Sequence, residues 1–362
     1  SAKRLNIRRI LHEIYQREPV SRADLARATK LTRPTASAIV SELLDLGLVI
    51  ETGTGVSTGG KRPTLLTVPD DAYHLLCVDL SREAFQGAIV NLRGDIVSRY
   101  ALDATGVRGD AAFVLLTQLL DRLRGQTNRP ILGIGIGSPG LVDPQNGVVR
   151  RALHLDWEAL PLRQRLTERY GKSVYIANDS HVAALAEFML GTSQQNVILI
   201  KVGQGIGAGI VWNGAMLTGD GFGAGEIGQV VVAEHDGQLM SLEQVASMPA
   251  IMREVRGAFS AEINLTQLAN LDAATPLINT IGRYLGIAIA NLIATLNIQQ
   301  IVLAGPLIEL GEPLRRAIQE TARCYTLSTM VDETEIRFST LGEDAVLQGC
   351  AALLLKHELG VL

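Results

Sequence analysis

The sequence predicts a small winged helix-turn-helix head joined to a two-lobed α/β body. Three observations lead there. Residues 1–66 hold eleven Lys and Arg against six Asp and Glu, a balance of +5, whereas the whole chain of 362 residues carries −4, leaving about −9 for the rest. Those first residues repeat apolar side chains at helical spacing between capping signals. The remainder alternates apolar strands with helices and glycine-rich turns. A cationic segment on an anionic body points to a polyanionic partner, and nucleic acid is the largest in a cell.

In the head, Leu5, Ile7, Ile10, Leu11 and Ile14 place a first helix over roughly residues 4–16. Pro19-Val20-Ser21 ends it, and Ser21 with Asp24 makes a capping-box-like start for a short helix containing Leu25, Ala26 and Ala28. Lys30-Leu31-Thr32 is the turn. Thr32 caps a third helix, with Pro34 in its first turn, that runs through Ala36, Ile39, Val40, Leu43 and Leu44 to Gly47. Two short helices ahead of a third with a polar start is the helix-turn-helix order, and the third offers Arg33, Thr35 and Ser37 to a major groove. Arg suits a bidentate contact to guanine, and the hydroxyls suit bases or phosphates. Strands at 48–51 and 65–68 then flank a wing from Gly53 to Pro63, where Lys61 and Arg62 can reach a narrow A·T minor groove. A plain protein-interaction module would need neither the polar recognition face nor the basic wing.

The body opens with strands at 75–80, 88–92 and 96–98, a meander turning at Arg93-Gly94-Asp95. A helix at about 110–124 precedes an apolar strand at 131–136 that ends in Gly137-Ser138-Pro139-Gly140. A strand at 174–176 leads to Asn178-Asp179 and an Ala/Leu-rich helix. Strands at 196–202 and 208–212 flank Gly203-Gln204-Gly205-Ile206-Gly207, and a long helix at 276–296 precedes a strand at 301–303 and the turn Gly305-Pro306. Strand-turn-strand units turning near Asp79 and Gly203 suggest two related lobes with a cleft between them. The expected division is 1–69 for the head, 70–190 for the first lobe and 191–362 for the second, with the C-terminal helix returning to the first. The long Ala- and Ile-rich helix suits core or dimer packing, and the core is the expectation.

Composition narrows the class. Charged residues at 19% and hydrophobic ones at 47% are ordinary for a folded soluble domain, and aromatics at 4% leave the core to aliphatic side chains. No apolar run reaches the ~18 residues of a membrane span. Arg and Lys interleaved with the first helical pattern do not read as a secretory leader. Cys77, Cys324 and Cys350 are odd in number, far apart and without a CxxC, so neither a disulfide frame nor a zinc knuckle is expected, and the protein reads as cytoplasmic.

Gly137-Ser138-Pro139-Gly140-Leu141-Val142-Asp143, Asn178-Asp179, Gly203-x-Gly205-x-Gly207 and Gly225-Glu226-Ile227-Gly228 occur in that order. With the head, this pattern resembles the ROK family of sugar-responsive repressors and sugar kinases over nearly the whole chain, and the winged head is similar to that of the xylose- and N-acetylglucosamine-type repressors. The resemblance implies an actin-like/hexokinase-like ATPase-fold body with a sugar between its lobes. It implies that Asn178, Asp179 and Glu226 bind hydroxyls and that Ser138 and Gly140 line the same cleft. An amide beside a carboxylate suits vicinal hydroxyls, because charge-assisted hydrogen bonds are the stronger ones. Asn178-Asp179 also suits a helix N-cap, the lesser reading, and both hold if each residue takes one role.

Four departures from the family pattern argue against phosphoryl transfer and metal binding. Where the resemblance implies Asp-x-Gly-x-Thr, the chain has Asp79-Leu80-Ser81-Arg82-Glu83, whose bulk keeps the backbone from a triphosphate. Gly203-Gln204-Gly205 replaces Gly-Thr-Gly, and Pro306 removes a backbone donor from the adenosine-side turn. The family's zinc-site His is Gln229 here, and residues 233–242 contain no cysteine, so no metal and no cofactor are expected. Gln229 and His154 are then candidate sugar contacts, and His181 a candidate cleft residue. The expectation is a repressor without kinase activity, acting as a homodimer or homotetramer on an operator duplex under a carbohydrate effector, with no membrane partner. The alternative is an ATP-dependent sugar kinase with an added DNA-binding head.

Overall fold

The computed structural model describes residues 2–55, 62–81, 83–190, 195–259 and 263–361. In the head, α1 (Ala2–Arg17) buries Ile10, Leu11 and Ile14. A two-residue strand, β1 (Val20–Ser21), leads into α2 (Arg22–Thr29), where Ser21 and Asp24 close a reciprocal capping box. Helix α3 (Arg33–Asp45) begins at Thr32, whose hydroxyl accepts the Thr35 amide. Strands β2 (Ile50–Thr54) and β3 (Thr64–Thr67) join β1 in a sheet ordered β1-β3-β2. The first wing strand starts two residues later than the sequence predicts. Gly47 turns the chain at φ +67°, and the amides of Leu48 and Val49 both return to the Leu43 carbonyl, so these residues close the helix end. Lys61, expected on the wing, lies outside the described residues together with 56–60.

The first lobe comprises the meander β4 (His74–Asp79), β5 (Ala84–Val90) and β6 (Ile96–Asp103), then α4 (Gly109–Gly125) and β7 (Ile131–Ser138). A small side sheet follows from β8 (Leu141–Asp143), β9 (Val148–Ala152) and β10 (Trp157–Leu160). After α5 (Leu162–Tyr170), β11 (Ser173–Asn178) runs straight into α6 (Asp179–Leu190). The main sheet is ordered β11-β7-β4-β5-β6, with β11, β7 and β4 parallel.

The second lobe repeats that plan. Its meander is β12 (Val197–Val202), β13 (Ile206–Trp212) and β14 (Ala215–Met216), followed by the hairpin of β15 (Val231–His235) and β16 (Gln238–Ser241). Helices α7 (Leu242–Ala246), α8 (Met248–Ala258), α9 (Leu265–Ala269) and α10 (Thr275–Leu296) precede β17 (Gln300–Ala304). Then come α11 (Gly311–Tyr325), α12 (Ser328–Asp332), β18 (Glu335–Phe338) and α13 (Ala345–Leu354), which ends in a π-helical turn at Leu355–Leu359. The sheet is ordered β14-β13-β12-β17-β18. Counted within each lobe, both sheets have the strand order 5-4-1-2-3.

Helix α13 packs on β4 and β7, α6 packs on β12 and β13, and the two helices pack on each other. They form the layer between the sheets, and their apolar side chains are continuous with the core of the head. The stretch Asp272–Leu296 is long and apolar enough, by length and composition, to cross a membrane, which a search for unbroken apolar runs does not reveal. Here α10 packs along α11 and buries Ile281, Leu285, Ile289 and Ile293 in the second-lobe core.

Candidate functional site

The mouth of the interlobe layer opens into a cleft of about 790 Å³. It collects residues from both lobes, because the turns after β4 and β12 and the start of α6 point to the same place. Gly140, His154, Asn178, Asp179, Glu226 and Gln229, all candidates from sequence, line it. Gly140 has φ +80°, and a Cβ there would lie 2.1 Å from the Arg151 carbonyl oxygen, so only glycine lets β9 pass this close.

Asn178 is largely spent on the fold. Its Oδ1 accepts the amides of Ser180 (2.9 Å) and His181 (3.2 Å), and its Nδ2 donates to the Gly140 carbonyl at 2.9 Å. It is therefore the cap of α6 and the tie between that helix and the Gly140 turn. Asp179, by contrast, aims its carboxylate into the cleft, where Oδ2 accepts from Lys201 Nζ at 2.5 Å. The same ammonium donates to Ser81 Oγ at 2.6 Å, and Ser81 in turn donates to Asp79 Oδ1 at 2.6 Å.

Glu226 enters from the opposite wall. Gly225, at φ +91°, holds the turn so close to β13 that a Cβ would sit 1.9 Å from the Ala208 carbonyl oxygen. Partial burial, then the charges of Asp179 and Glu243, push the Glu226 carboxyl above its ordinary range. Glu243 is not a free acid: its Oε2 accepts the Ile206 amide at 2.9 Å and holds the glycine-rich turn. Among the described lining residues, the carboxylates of Glu83, Asp179, Glu226 and Glu243 outnumber the cations of Arg151 and Lys201, a surface of strong acceptors suited to a neutral ligand rich in hydroxyl donors.

Two sequence-based candidates are corrected. Ser138 is fully buried at the end of β7 and does not line the cleft, because the strand pleat turns it inward. His181 is buried too, and its ring nitrogen donates to the Ala224 carbonyl at 2.9 Å. Burial lowers its pKa, so it is a neutral tether for the loop that carries Glu226. Lys201 was missed by sequence reasoning. Its signal was a lone cation in the otherwise apolar strand Val197–Val202.

On the head, Arg33 and Thr35 are exposed at the start of α3 and Ser37 is half-buried beside them. Thr35 Oγ1 shares a 2.8 Å hydrogen bond with Thr32 Oγ1, so it is partly committed to the cap. Arg33 forms no ion pair among the described residues and leaves its guanidinium to solvent, and Arg62 is exposed at the base of the wing. This face presents cations and hydroxyls at the N-terminus of a helix, the arrangement that meets a nucleic-acid groove.

Comparison with known proteins bears on both sites. The ROK family model matches residues 75–357, and a MarR family model matches residues 8–56. The chain belongs to the ROK family. It is 27% identical to a xylose repressor from Caldicellulosiruptor bescii, over 99% of this chain and 97% of that one. A glucokinase from Halalkalibacterium halodurans is 30% identical over 94% of its own length but only 78% of this chain. Among solved structures, a ROK family transcriptional regulator, a homolog of the E. coli MLC protein, superimposes with a TM-score of 0.85 at 26% identity, covering 99% of this chain and 98% of that one. The fold of this ROK protein is thus a MarR-type winged head on an actin-like, kinase-fold body, and likeness to the regulators includes the head.

Proposed function

We propose that this ROK protein is a DNA-binding transcriptional repressor whose operator affinity is set by a carbohydrate or sugar derivative in the interlobe cleft, without phosphoryl transfer. One observation carries the reading: a groove-reading head is joined to a cleft of hydroxyl-accepting side chains in one chain, and the likeness to a xylose repressor runs through both. Asp179, Glu226, Gln229 and His154 are the proposed sugar contacts, with Gly140 as backbone wall and Asn178 as the residue that orients Asp179. Arg33, Thr35, Ser37, Lys61 and Arg62 are the proposed DNA contacts. The paired half-sites that helix-turn-helix proteins read favour a homodimer or a pair of dimers.

The head is firmly docked, which lets cleft closure act on it. Arg93 stacks on Tyr15 at 4.4 Å, pairs with Glu18 and with Asp70 (2.9 Å), and donates to the Val68 carbonyl at 3.1 Å. Arg8 of α1 donates to the His357 carbonyl in the turn that follows α13. Sugar binding at the start of α6 reaches that turn through the α6–α13 packing and shifts the spacing of paired heads. The test is a thermal-shift panel of mono- and disaccharides with ATP–Mg²⁺ as a separate condition, followed by operator binding with and without the hit. A sugar that raises the melting temperature and changes DNA affinity is the expected result. ATP stabilisation with sugar phosphorylation would favour a kinase with an added head.

A further inference from the structure

We infer that Lys201 is a positioning residue for effector recognition: it holds Asp179 as an oriented acceptor and ties it to the first-lobe turn. The inference rests on the sugar-cleft reading above. Strand alternation explains how a lysine comes to be there. In β12, Ile198, Ile200 and Val202 face the second-lobe core, while Val197 and Leu199 face the layer that contains α6. Lys201 is next on the α6 face, so its ammonium emerges beside the first residue of that helix.

The ammonium then sits between two acidic groups. It donates to Asp179 Oδ2 at 2.5 Å and to Ser81 Oγ at 2.6 Å, while the Ser81 hydroxyl donates its own hydrogen bond to buried Asp79. One hydroxyl hydrogen and its lone pairs satisfy both roles of Ser81. Lys201 and Asp179 are only 16% and 12% exposed at their side chains, so removing either leaves the other largely buried without this contact. Two consequences follow. The Asp179 carboxylate is a fixed hydrogen-bond acceptor on the cleft wall, its Oδ2 held by the ammonium. Because Lys201 belongs to the second lobe and Ser81 to the first, the residue that orients the acceptor also spans the cleft, alongside the weaker Gln204–Glu83 bond at 3.3 Å.

The experiment uses the full chain as wild type, K201M, K201R, D179N and the K201M/D179N double variant. Melting temperatures at neutral pH read the pair without ligand. K201M is expected to melt lower than wild type, and D179N in the K201M background to restore most of the loss. Additive single and double effects would overturn the proposal. Calorimetric titration with D-xylose, D-glucose and N-acetyl-D-glucosamine reads the function. For any of these that binds wild type, K201M is expected to weaken affinity at least tenfold, with K201R recovering part of it. Unchanged affinity in K201M would overturn the proposal. If none of the three binds wild type, the sugar reading of the cleft loses its support, and the melting cycle alone decides Lys201.

Discussion

In the first lobe the turn after β4 is closed by side chains: Asp79 Oδ1 accepts both the amide (2.8 Å) and the hydroxyl of Ser81. In the second, the equivalent turn after β12 closes on backbone, with the Gly203 amide donating to the Gly205 carbonyl at 2.9 Å. Both turns occupy the same place in the same 5-4-1-2-3 strand order. Their chemistry differs because their neighbours differ. Gly205 leaves room for Glu243, whose Oε2 would lie 2.6 Å from any Cβ there, whereas Ser81 supplies the hydroxyl that Lys201 needs across the cleft. Equal topology thus fixes where a turn lies, while the side chains packed against it decide whether it closes on its own side chains or on its backbone.

The largest effect is expected where the two lobes meet. Asp179→Ala removes one partner of the buried Lys201–Asp179 pair and should cost roughly 3–5 kcal/mol in chemical denaturation, as removal of one partner from a buried pair does. It should also abolish the sugar response, while DNA binding without sugar survives in whatever fraction stays folded. Gly225→Val tests the backbone-built side of the comparison. With φ +91° and the Ala208 carbonyl 1.9 Å from the new Cβ, it should lose about 3 kcal/mol and displace Glu226, seen as lost sugar affinity. Arg33→Ala lies outside both lobes and is the control. It should weaken operator binding by about 1–3 kcal/mol with sugar binding intact, and an equal loss on random DNA would show a phosphate contact only.

Smaller effects sharpen the picture. Burial and the charges of Asp179 and Glu243 raise the Glu226 carboxyl above its ordinary 4.5, so the folded state holds that proton more tightly than the unfolded one. The resulting cost is absent below the ordinary value and complete above the raised one. Glu226→Gln should therefore melt above wild type at neutral pH, with the gap closing as pH falls towards 4.5. Melting curves at several pH values check this, and a constant gap would contradict it. Finally, Gly203→Ala adds a Cβ with nothing within 4 Å and should change stability by no more than about 0.5 kcal/mol. A large loss there would mean that the second turn is as tightly packed as the first.

Local chemistry was legible in the sequence wherever one short segment decides the outcome. The Ser21–Asp24 capping box, the Thr32 cap with Pro34 behind it, the apolar alternation of the strands and the altered turn at Asp79 all depend on residues within a few positions of one another. So does the N-cap role of Asn178, which satisfies amides two and three residues ahead. Tertiary structure decided which of the neighbouring residues reach the cleft. Ser138 and His181 stand beside cleft residues in the chain, yet Ser138 ends fully buried in β7 and His181 spends its ring on the Ala224 carbonyl. Lys201 is 22 residues from Asp179 and 120 from Ser81, and only the stacking of two similar sheets about α6 brings the three together. Capping and periodicity act over a few residues, whereas the environment of a charge depends on which distant surfaces pack against it.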